Sequence, residues 1–331
     1  MPAMRFSFAL CDNFGGTRFA VFLSIFKMSN RKIRLISNPR AGRGGAHRAR
    51  EVARFCEHMA AHGVAVEVEL TTGPHDATRL ARRAAEEGAR VVIVSGGDGT
   101  INEALQGLVN TNVRLGIWPA GTANVLAREL RLPFDAEAAA EVFARGKVLR
   151  ISVGCATQEE SGERRYFVLM AGIGLDASVV ERVLPALKRR VGEVAFWYSG
   201  LGHLADWQPS VFTVEIDGRE YPATFAAVGK APRYGGGLAI TPRARLDSAE
   251  FEICLVNSHS RFRFLYLLTH AIRGGVPEKT HAVCFTRTTR ARATGDALVQ
   301  ADGELIGHLP MTFEIVPDAI EIIVPEGMRD S

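Results

Sequence analysis

The 331-residue chain is poor in the features that would place it outside the cell or on nucleic acid. Its five cysteines are far apart and form no Cys-x-x-Cys pair, which indicates reduced thiols in a cytoplasmic protein. The formal net charge is only +4, and the sequence contains no long basic run and no alternation of aromatic and basic residues. Nucleic acid is therefore not an expected partner.

Residues 1–29 lack a clear targeting signal. The apolar run Phe19–Phe26 is too short to cross a bilayer, which needs roughly 20 residues. Asp12 and Arg18 interrupt the region that a signal peptide would keep apolar, and no small-residue cleavage site follows. We therefore interpret 1–29 either as an extension, disordered or in weak contact with a membrane, or as the product of a start placed too early, since Met28 stands just before the first predicted strand.

Two familiar nucleotide-binding motifs are missing or incomplete. The sequence contains no G-x-x-x-x-G-K-[ST], which excludes a Walker-type NTPase. Gly172–Ala177 matches G-x-G-x-x-[GA], but no second parallel strand ending in an acidic residue follows about 20 residues later. A dinucleotide site is therefore not predicted at this position.

The residues that are present predict two domains. From Lys32 to Arg145, short apolar strands alternate with amphipathic helices, which predicts an α/β domain with a doubly wound, mostly parallel sheet. After Lys147, many short strands separated by turn residues predict a β-sandwich-like domain. Two helical segments, Val179–Leu204 and Phe262–Ile272, are inserted into it. We expect a first domain at 30–146 and a second, β-rich domain at 147–331, and leave open whether the C-terminal residues return to the first domain.

The most informative segment is Ser95–Glu103, in which the apolar strand Val91–Val94 ends in Ser-Gly-Gly-Asp-Gly-Thr. Three glycines in four positions allow a ligand to approach the backbone closely. Thr100 and Glu103 fit the T-x-x-E capping box, with Thr100 as the helix cap and Glu103 reaching back to its amide. Free amides and the helix dipole then form an anion site. The alternative is a tight turn in which these side chains only cap the helix.

Three more loops follow strands of the same predicted sheet. They are Asn38–Gly45, which carries two arginines able to meet phosphate, Thr71–Gly73 and Pro119–Asn124. In a parallel sheet these loops converge on one edge, which is where open α/β sheets bind ligands. The convergence predicts a nucleotide site without a Walker lysine.

A kinase also needs a base, and Asp302 and Glu304 near the C-terminus are candidates. Residues i and i+2 of an extended segment face the same way, so the two carboxylates could share one site. One would take a hydroxyl proton, and the other would help with the metal or with orientation. The alternative is an ordinary Asp-Gly hairpin turn.

Two of these segments together carry a family resemblance. Ser95–Glu103 combined with Gly121–Arg128 resembles the catalytic domain of the diacylglycerol kinase and sphingosine kinase superfamily, above all its bacterial lipid kinases. The Asn38-Pro39 loop, Gly172–Ala177 and Asp302-Gly303-Glu304 stand at matching relative positions. The resemblance extends from about Arg31 to the C-terminus, and it implies that 30–146 is the nucleotide-binding catalytic domain and 147–331 the lipid-substrate domain.

The resemblance implies an ATP-dependent kinase that phosphorylates a hydroxyl of a membrane lipid, such as diacylglycerol or a related lipid alcohol. Asp302 would be the base, Glu304 and Asp98 would assist, and Mg²⁺ would bind with the nucleotide. Contacts to ATP are implied for Asn38, Pro39, Arg40, Ala41, Gly42, Thr72, Gly96, Gly97, Asp98, Gly99, Thr100, Ile101, Asn102 and Thr122.

The family also has a metal-binding Asp-Asp-Gly turn in its second domain. The matching stretch here is Arg245–Glu250, where Ser248 and Ala249 replace the second Asp and the Gly. A secondary magnesium site would then rest on Ser248 and Glu250, with Asp247 the other carboxylate nearby.

Contact with a membrane is a further expectation. The basic run Lys188-Arg189-Arg190 precedes the aromatic segment Val194–Tyr198, which suits an anionic membrane surface, although a solvated turn before a core helix would look the same. The expected location is the cytoplasm, at the inner face of the membrane.

Two other functions remain open. The first is a kinase of a soluble acceptor such as NAD, a class that shares a Gly-Gly-Asp-Gly loop, although Gly121–Arg128 argues against it. The second is a protein that binds a nucleotide or lipid without catalysis, an alternative to which the altered Ser248 turn gives some weight.

Overall fold

The computed structural model describes residues 32–42, 44–182, 209–235, 237–278 and 280–328. Its strands are β1 (Ile33–Ser37), β2 (Val66–Leu70), β3 (Val91–Gly96), β4 (Arg114–Pro119), β5 (Lys147–Gln158), β6 (Arg164–Phe167), β7 (Met170–Gly174), β8 (Phe212–Ile216), β9 (Arg219–Ala223), β10 (Phe225–Gly229), β11 (Phe251–Val256), β12 (Val283–Thr288), β13 (Arg290–Thr294), β14 (Leu298–Ala301), β15 (Glu304–His308) and β16 (Met311–Val324). Its helices are α1 (Gly45–Ala61), α2 (Asp76–Glu86), α3 (Asp98–Leu108), α4 (Val125–Glu129), α5 (Ala136–Arg145), α6 (Leu175–Arg182) and α7 (Arg261–Arg273).

The N-terminal half is an α/β unit built on parallel strands. Strands β2, β1, β3 and β4 lie side by side in parallel, and the end of β16 continues the sheet beside β4 through Ile322 and Leu115. Strand β3 is buried along its whole length, because α2 and α3 pack on one face of the sheet and α1 and α5 on the other. The predicted doubly wound, mostly parallel sheet is confirmed.

Strand β16 connects the two halves of the chain. The sequence patterns predicted two strands, Phe313–Val316 and Ile320–Val324, but the structure has one strand with an irregularity between Val316 and Ile320. Its first part pairs with β13, its last part lies beside β4, and β5 pairs along both parts. The large sheet therefore runs through both halves.

The C-terminal half is a sandwich. A six-stranded antiparallel sheet, in the order β12-β11-β10-β7-β14-β15, packs against β8, β13 and β16 of the large sheet. Buried Phe167, Phe212, Phe251 and Phe313 fill the space between the sheets. The predicted β-sandwich-like second domain is confirmed, and α7 is one of its inserted helices.

The sequence patterns missed β9, β13 and β15, and they predicted a single strand, Tyr166–Met170, where the structure has β6 and β7. β13 has the sequence RARAT, and in it two small buried alanines alternate with exposed arginines. Its apolar face is too small to produce a recognisable pattern. Of the predicted helix Val179–Leu204, only the part within α6 lies among the described residues. In the described ranges, no helix is both long and apolar enough to cross a membrane.

Candidate active site

The loops that follow β1, β3 and β4 meet at one edge of the large sheet. Asn38 donates its backbone N–H to Ser95 O at 2.8 Å, and its Nδ2 donates to Thr100 Oγ1 at 3.1 Å. On the other side, Ala120 N donates to Gly96 O at 2.8 Å. Three of the four loops that were predicted to share one edge are therefore joined by hydrogen bonds.

Glycine is required where the loops touch. A Cβ on Gly121 would lie 2.5 Å from Gly97 Cα, and a Cβ on Gly96 would lie 2.6 Å from Thr100 Cβ. Both distances are below any that packed carbon atoms adopt. These glycines therefore serve the close packing of the loops, in addition to any approach of a ligand.

The predicted capping box does not form. Helix α3 begins at Asp98 with Gly97 as its cap, and no side chain caps it. The Thr100 hydroxyl accepts from Asn38, and Glu103 Oε2 accepts from Ala77 N of α2 at 3.3 Å. Partners that are distant in sequence thus engage both side chains, and the first amides of α3 remain available for an anion.

Asp98 lies against the start of the short helix α4. The amides of Val125, Leu126 and Asn124 lower the pKa of its carboxyl, but burial is the larger effect and raises the pKa above its usual value. Among the described residues its Oδ1 has no hydrogen-bond partner although it is buried. A buried carboxylate oxygen without a donor suits a bound cation.

The remaining residues that were predicted to contact ATP lie around this edge. Gly42 follows the turn of the first loop, where a Cβ would lie 2.9 Å from Ala120 O. Thr72 is exposed and its hydroxyl donates to Asp76 Oδ2 at 2.7 Å. Arg40, Gly99 and Thr122 are exposed at the rim, Ala41 and Ile101 are buried, and Pro39 is partly buried.

The Asp302 turn reaches the same edge from the antiparallel sheet. The Asp302 carboxylate accepts four hydrogen bonds: from Val168 N at 2.8 Å, Leu169 N at 2.9 Å, Met170 N at 3.0 Å and Asn102 Nδ2 at 2.8 Å. Burial raises its pKa to about 6, against the opposing effect of these donors. Asn102 belongs to α3, so a side chain of the phosphate loop's own helix binds the candidate base directly.

Glu304 joins this arrangement through Arg165, a residue that the sequence analysis did not identify. Arg165 Nη2 pairs with Glu304 Oε2 and donates to Asn102 Oδ1 at 2.9 Å. Gln106 Nε2 also donates to Asn102 Oδ1, at 3.1 Å. The amide of Asn102 is thus oriented by two donors, so that its nitrogen faces Asp302.

A second polar group supports the Asp302 turn from below. Gln300 Oε1 accepts from Gly303 N at 2.8 Å and from the Tyr234 hydroxyl at 3.0 Å, and its Nε2 donates to Asp176. Burial raises the pKa of Asp176 to about 7. Asp302 itself has a positive φ of 46°, and the fixed Gly303 amide helps to hold this turn. Asp176 lies within Gly172–Ala177, so this motif contributes to the support of the Asp302 turn.

Hydrogen bonds within the protein engage several groups of the loop proposed for the secondary magnesium. The Ser248 carbonyl accepts from Lys230 Nζ, and the Ser248 hydroxyl accepts from Glu250 N at 3.2 Å. Glu250 is exposed, and the Asp247 carboxylate is paired with Arg245. Within the described ranges, no group of three His, Cys, Asp or Glu side chains is close enough to hold a metal.

The basic and aromatic segment Lys188–Tyr198 lies outside the described residues, so its expected membrane contact stays a prediction. No local signal marks Arg165, Gln106, Tyr234 or Lys230 as part of this region. Each is an ordinary polar residue in a strand, helix or loop, and only the folded chain brings it to the site.

The comparisons with known proteins agree with this architecture. Residues 32–156 match the diacylglycerol kinase catalytic domain, and residues 170–324 match the YegS C-terminal NAD kinase beta sandwich-like domain. A diacylglycerol kinase of Mycobacterium tuberculosis is 33% identical over 303 residues, which cover 89% of this chain and 95% of the relative. A diacylglycerol kinase of Bacillus subtilis is 28% identical, with 89% and 97% covered.

Two further matches extend the comparison. A Chromohalobacter salexigens protein named probable lipid kinase YegS-like is 31% identical over 81% of this chain and 86% of its own. The crystal structure of a diacylglycerol kinase from Bacillus anthracis superposes with a TM-score of 0.69 at 22% identity, covers 89% of this chain and 97% of its own, and supports the fold. The chain belongs to the diacylglycerol kinase family.

Proposed function

We propose that this protein is an ATP-dependent lipid kinase that transfers the γ-phosphoryl group to a hydroxyl of diacylglycerol or a related lipid alcohol. The observation that carries the proposal is the 2.8 Å hydrogen bond from Asn102 Nδ2 to Asp302. It joins the helix of the phosphate loop to a carboxylate of the other sheet. The bond would therefore hold the phosphoryl donor and the base in one site.

The donor side is formed by the loops at the edge of the large sheet. The N-terminal amides of α3 and the backbone at Gly96–Thr100 would hold the ATP phosphates, with Asn38–Gly42, Thr72 and Thr122 around them. The unpartnered Oδ1 of Asp98 fits Mg²⁺, which neutralises charge on the phosphate oxygens when it is bound.

On the acceptor side, Asp302 would take the hydroxyl proton. A pKa of about 6 leaves it mostly ionised at neutral pH and still able to accept a proton. Its four donors occupy the lone pairs of the carboxylate, so the acceptor hydroxyl must displace one of them. Asn102 is the only side chain among the four and the one that can rotate away. Glu304 then acts by holding Arg165 and, through it, Asn102.

We also propose that the protein works in the cytoplasm, in peripheral contact with the inner face of the membrane. Helix α7 supports this contact, because Phe262 is 85% exposed and Leu265, Tyr266 and Ile272 are exposed on the same helix. The helix has no acidic residue and carries Arg261, Arg263 and Arg273. Apolar side chains flanked by arginines are typical of a helix that lies on an anionic lipid surface.

A phosphate-transfer assay tests the function. Purified protein should transfer labelled phosphate from ATP to a lipid extract, and Asp302→Asn should abolish transfer. Mass spectrometry of the products would identify the lipid. Faster ATP consumption with NAD than with lipid micelles would support the soluble-acceptor alternative, and ATP binding without turnover on any lipid would support a non-catalytic protein.

A further inference from the structure

The ammonium group of Lys230 lies within the loop Arg245–Glu250. Lys230 directly follows β10, and its side chain is completely buried, at 0% exposure. Its Nζ enters the loop and donates to the carbonyl oxygen of Arg245 at 3.0 Å and to that of Ser248. Two backbone carbonyls of one loop therefore converge on one ammonium group.

The ammonium group is surrounded by oxygen atoms of the kind that bind a metal ion. Carbonyl and carboxylate oxygens are the ligands of hard divalent cations, and a buried charge is tolerated only where such groups compensate it. Asp247 lies close enough to act electrostatically on Lys230.

We propose that the Lys230 ammonium replaces a structural divalent cation in this loop, so that the fold of this chain needs no metal there. Two other polar side chains of the loop are also engaged. The Asp247 carboxylate binds the Arg245 guanidinium at 2.9 and 2.7 Å, and the Ser248 hydroxyl accepts from Glu250 N. The Asp247 carboxylate and the Ser248 hydroxyl therefore already have partners within the loop.

The ammonium links segments that support the active site. Lys230 N donates to Leu169 O at 2.8 Å, and Leu169 N donates to the Asp302 carboxylate at 2.9 Å. On the other side, Ser152 N of β5 donates to Leu246 O at 3.3 Å, which ties the loop to the large sheet. Lys230 thus joins the loop to the segment that holds Asp302.

Thermal unfolding of the full chain without nucleotide or lipid tests this inference, and it does not depend on the kinase activity. Wild-type protein should melt at the same temperature in EDTA and in MgCl₂ and should contain no stoichiometric divalent metal by elemental analysis. Lys230→Met, which removes the charge and leaves two buried carbonyls unpaired, should lower the melting temperature by on the order of 5 °C in both buffers.

Lys32→Met is the matched control. Lys32 Nζ also donates to a backbone carbonyl, that of Glu87 at 3.0 Å, but it is exposed. This variant should melt within about 1 °C of wild type. Asp98→Asn removes the candidate Mg²⁺ ligand of the active site and separates that site from this loop. A melting temperature that falls in EDTA and recovers with MgCl₂, or one bound divalent ion per chain, would overturn the proposal if it persists in Asp98→Asn. So would a Lys230→Met variant as stable as Lys32→Met. If Lys230→Met does not fold, the chelator and metal-content measurements on wild type and Asp98→Asn decide.

Discussion

Replacing Asn102 by Ala should move the acidic limb of the activity profile to higher pH. Asn102 Nδ2 donates to the Asp302 carboxylate at 2.8 Å, and this bond stabilises the ionised form. A base must be ionised to accept a proton, so activity is lost as the pH falls through the pKa of Asp302. Removing the bond raises that pKa and shifts the loss upward.

The size of the shift follows from the hydrogen bond. A bond to a charged group contributes about 1.5–3 kcal/mol, and 1.36 kcal/mol corresponds to one pKa unit. Because three backbone amides still hold the carboxylate, we expect a shift of about one unit, from about 6 to about 7. The ionised fraction then falls about eightfold at about pH 5.5, about twofold at about pH 7, and hardly at about pH 8.

The assay is the pH dependence of kcat/KM for the lipid, measured with saturating ATP because Asn102 also lies in the candidate nucleotide site. Gln106→Ala is the control, since Gln106 bonds to Asn102 and to the backbone of Tyr166 but not to Asp302. It should leave the acidic limb nearly unchanged. An acidic limb that stays in place in Asn102→Ala, or moves equally in both variants, would refute this reasoning.

Three other substitutions test separate parts of the structure. Gly121→Ala should lower the free energy of unfolding by about 1–3 kcal/mol, because its Cβ would lie 2.5 Å from Gly97 Cα. In Gly97→Ala the nearest contact of the new Cβ would be at 3.4 Å, so this variant should keep the wild-type melting temperature and lose only the increase in melting temperature that ATP causes. Phe262→Ser should weaken binding to anionic vesicles by about tenfold in cosedimentation, whereas Val211→Ser, at another exposed apolar residue, should not. Asp176 has a raised pKa of about 7, so the folded state binds the extra proton between about pH 4 and about pH 7 and stability falls as the pH rises through that window. In urea unfolding, the free energy of unfolding of Asp176→Asn should therefore rise relative to that of wild type as the pH rises, by at most about 4 kcal/mol at about pH 8. A difference between the two proteins that does not change with pH would contradict this.

The parallel half of the fold could be predicted from local pattern. The apolar run before Ser95 is a buried strand, and the glycines that end it mark a loop, because burial and backbone freedom act on neighbouring residues. The strand β13 could not be predicted in the same way, since its buried residues are alanines, whose pattern is weak.

The capping box shows where local reasoning fails at the site. Thr100 and Glu103 have the right spacing, but a hydrogen bond from Asn38 engages the first and the amide of Ala77 engages the second. The predicted capping box is therefore replaced by hydrogen bonds to partners from other parts of the chain. The same holds for Asp302, whose spacing to Glu304 suggested a shared role. In the fold, the Asp302 carboxylate accepts hydrogen bonds from the amides at 168–170, whereas Glu304 pairs with Arg165.

The sequence by itself determined the family, the alternation of strands and helices, and the two separate motifs that carry the chemistry. These features depend on the types and spacing of residues close together in the chain. Only the tertiary structure decided that Asn102 binds Asp302, that Arg165 orients Asn102, and that Lys230 occupies the loop proposed for a metal. The physical reason is that hydrogen bonds of buried polar groups are chosen among whatever the packed sheets bring within about 3 Å, regardless of distance along the chain.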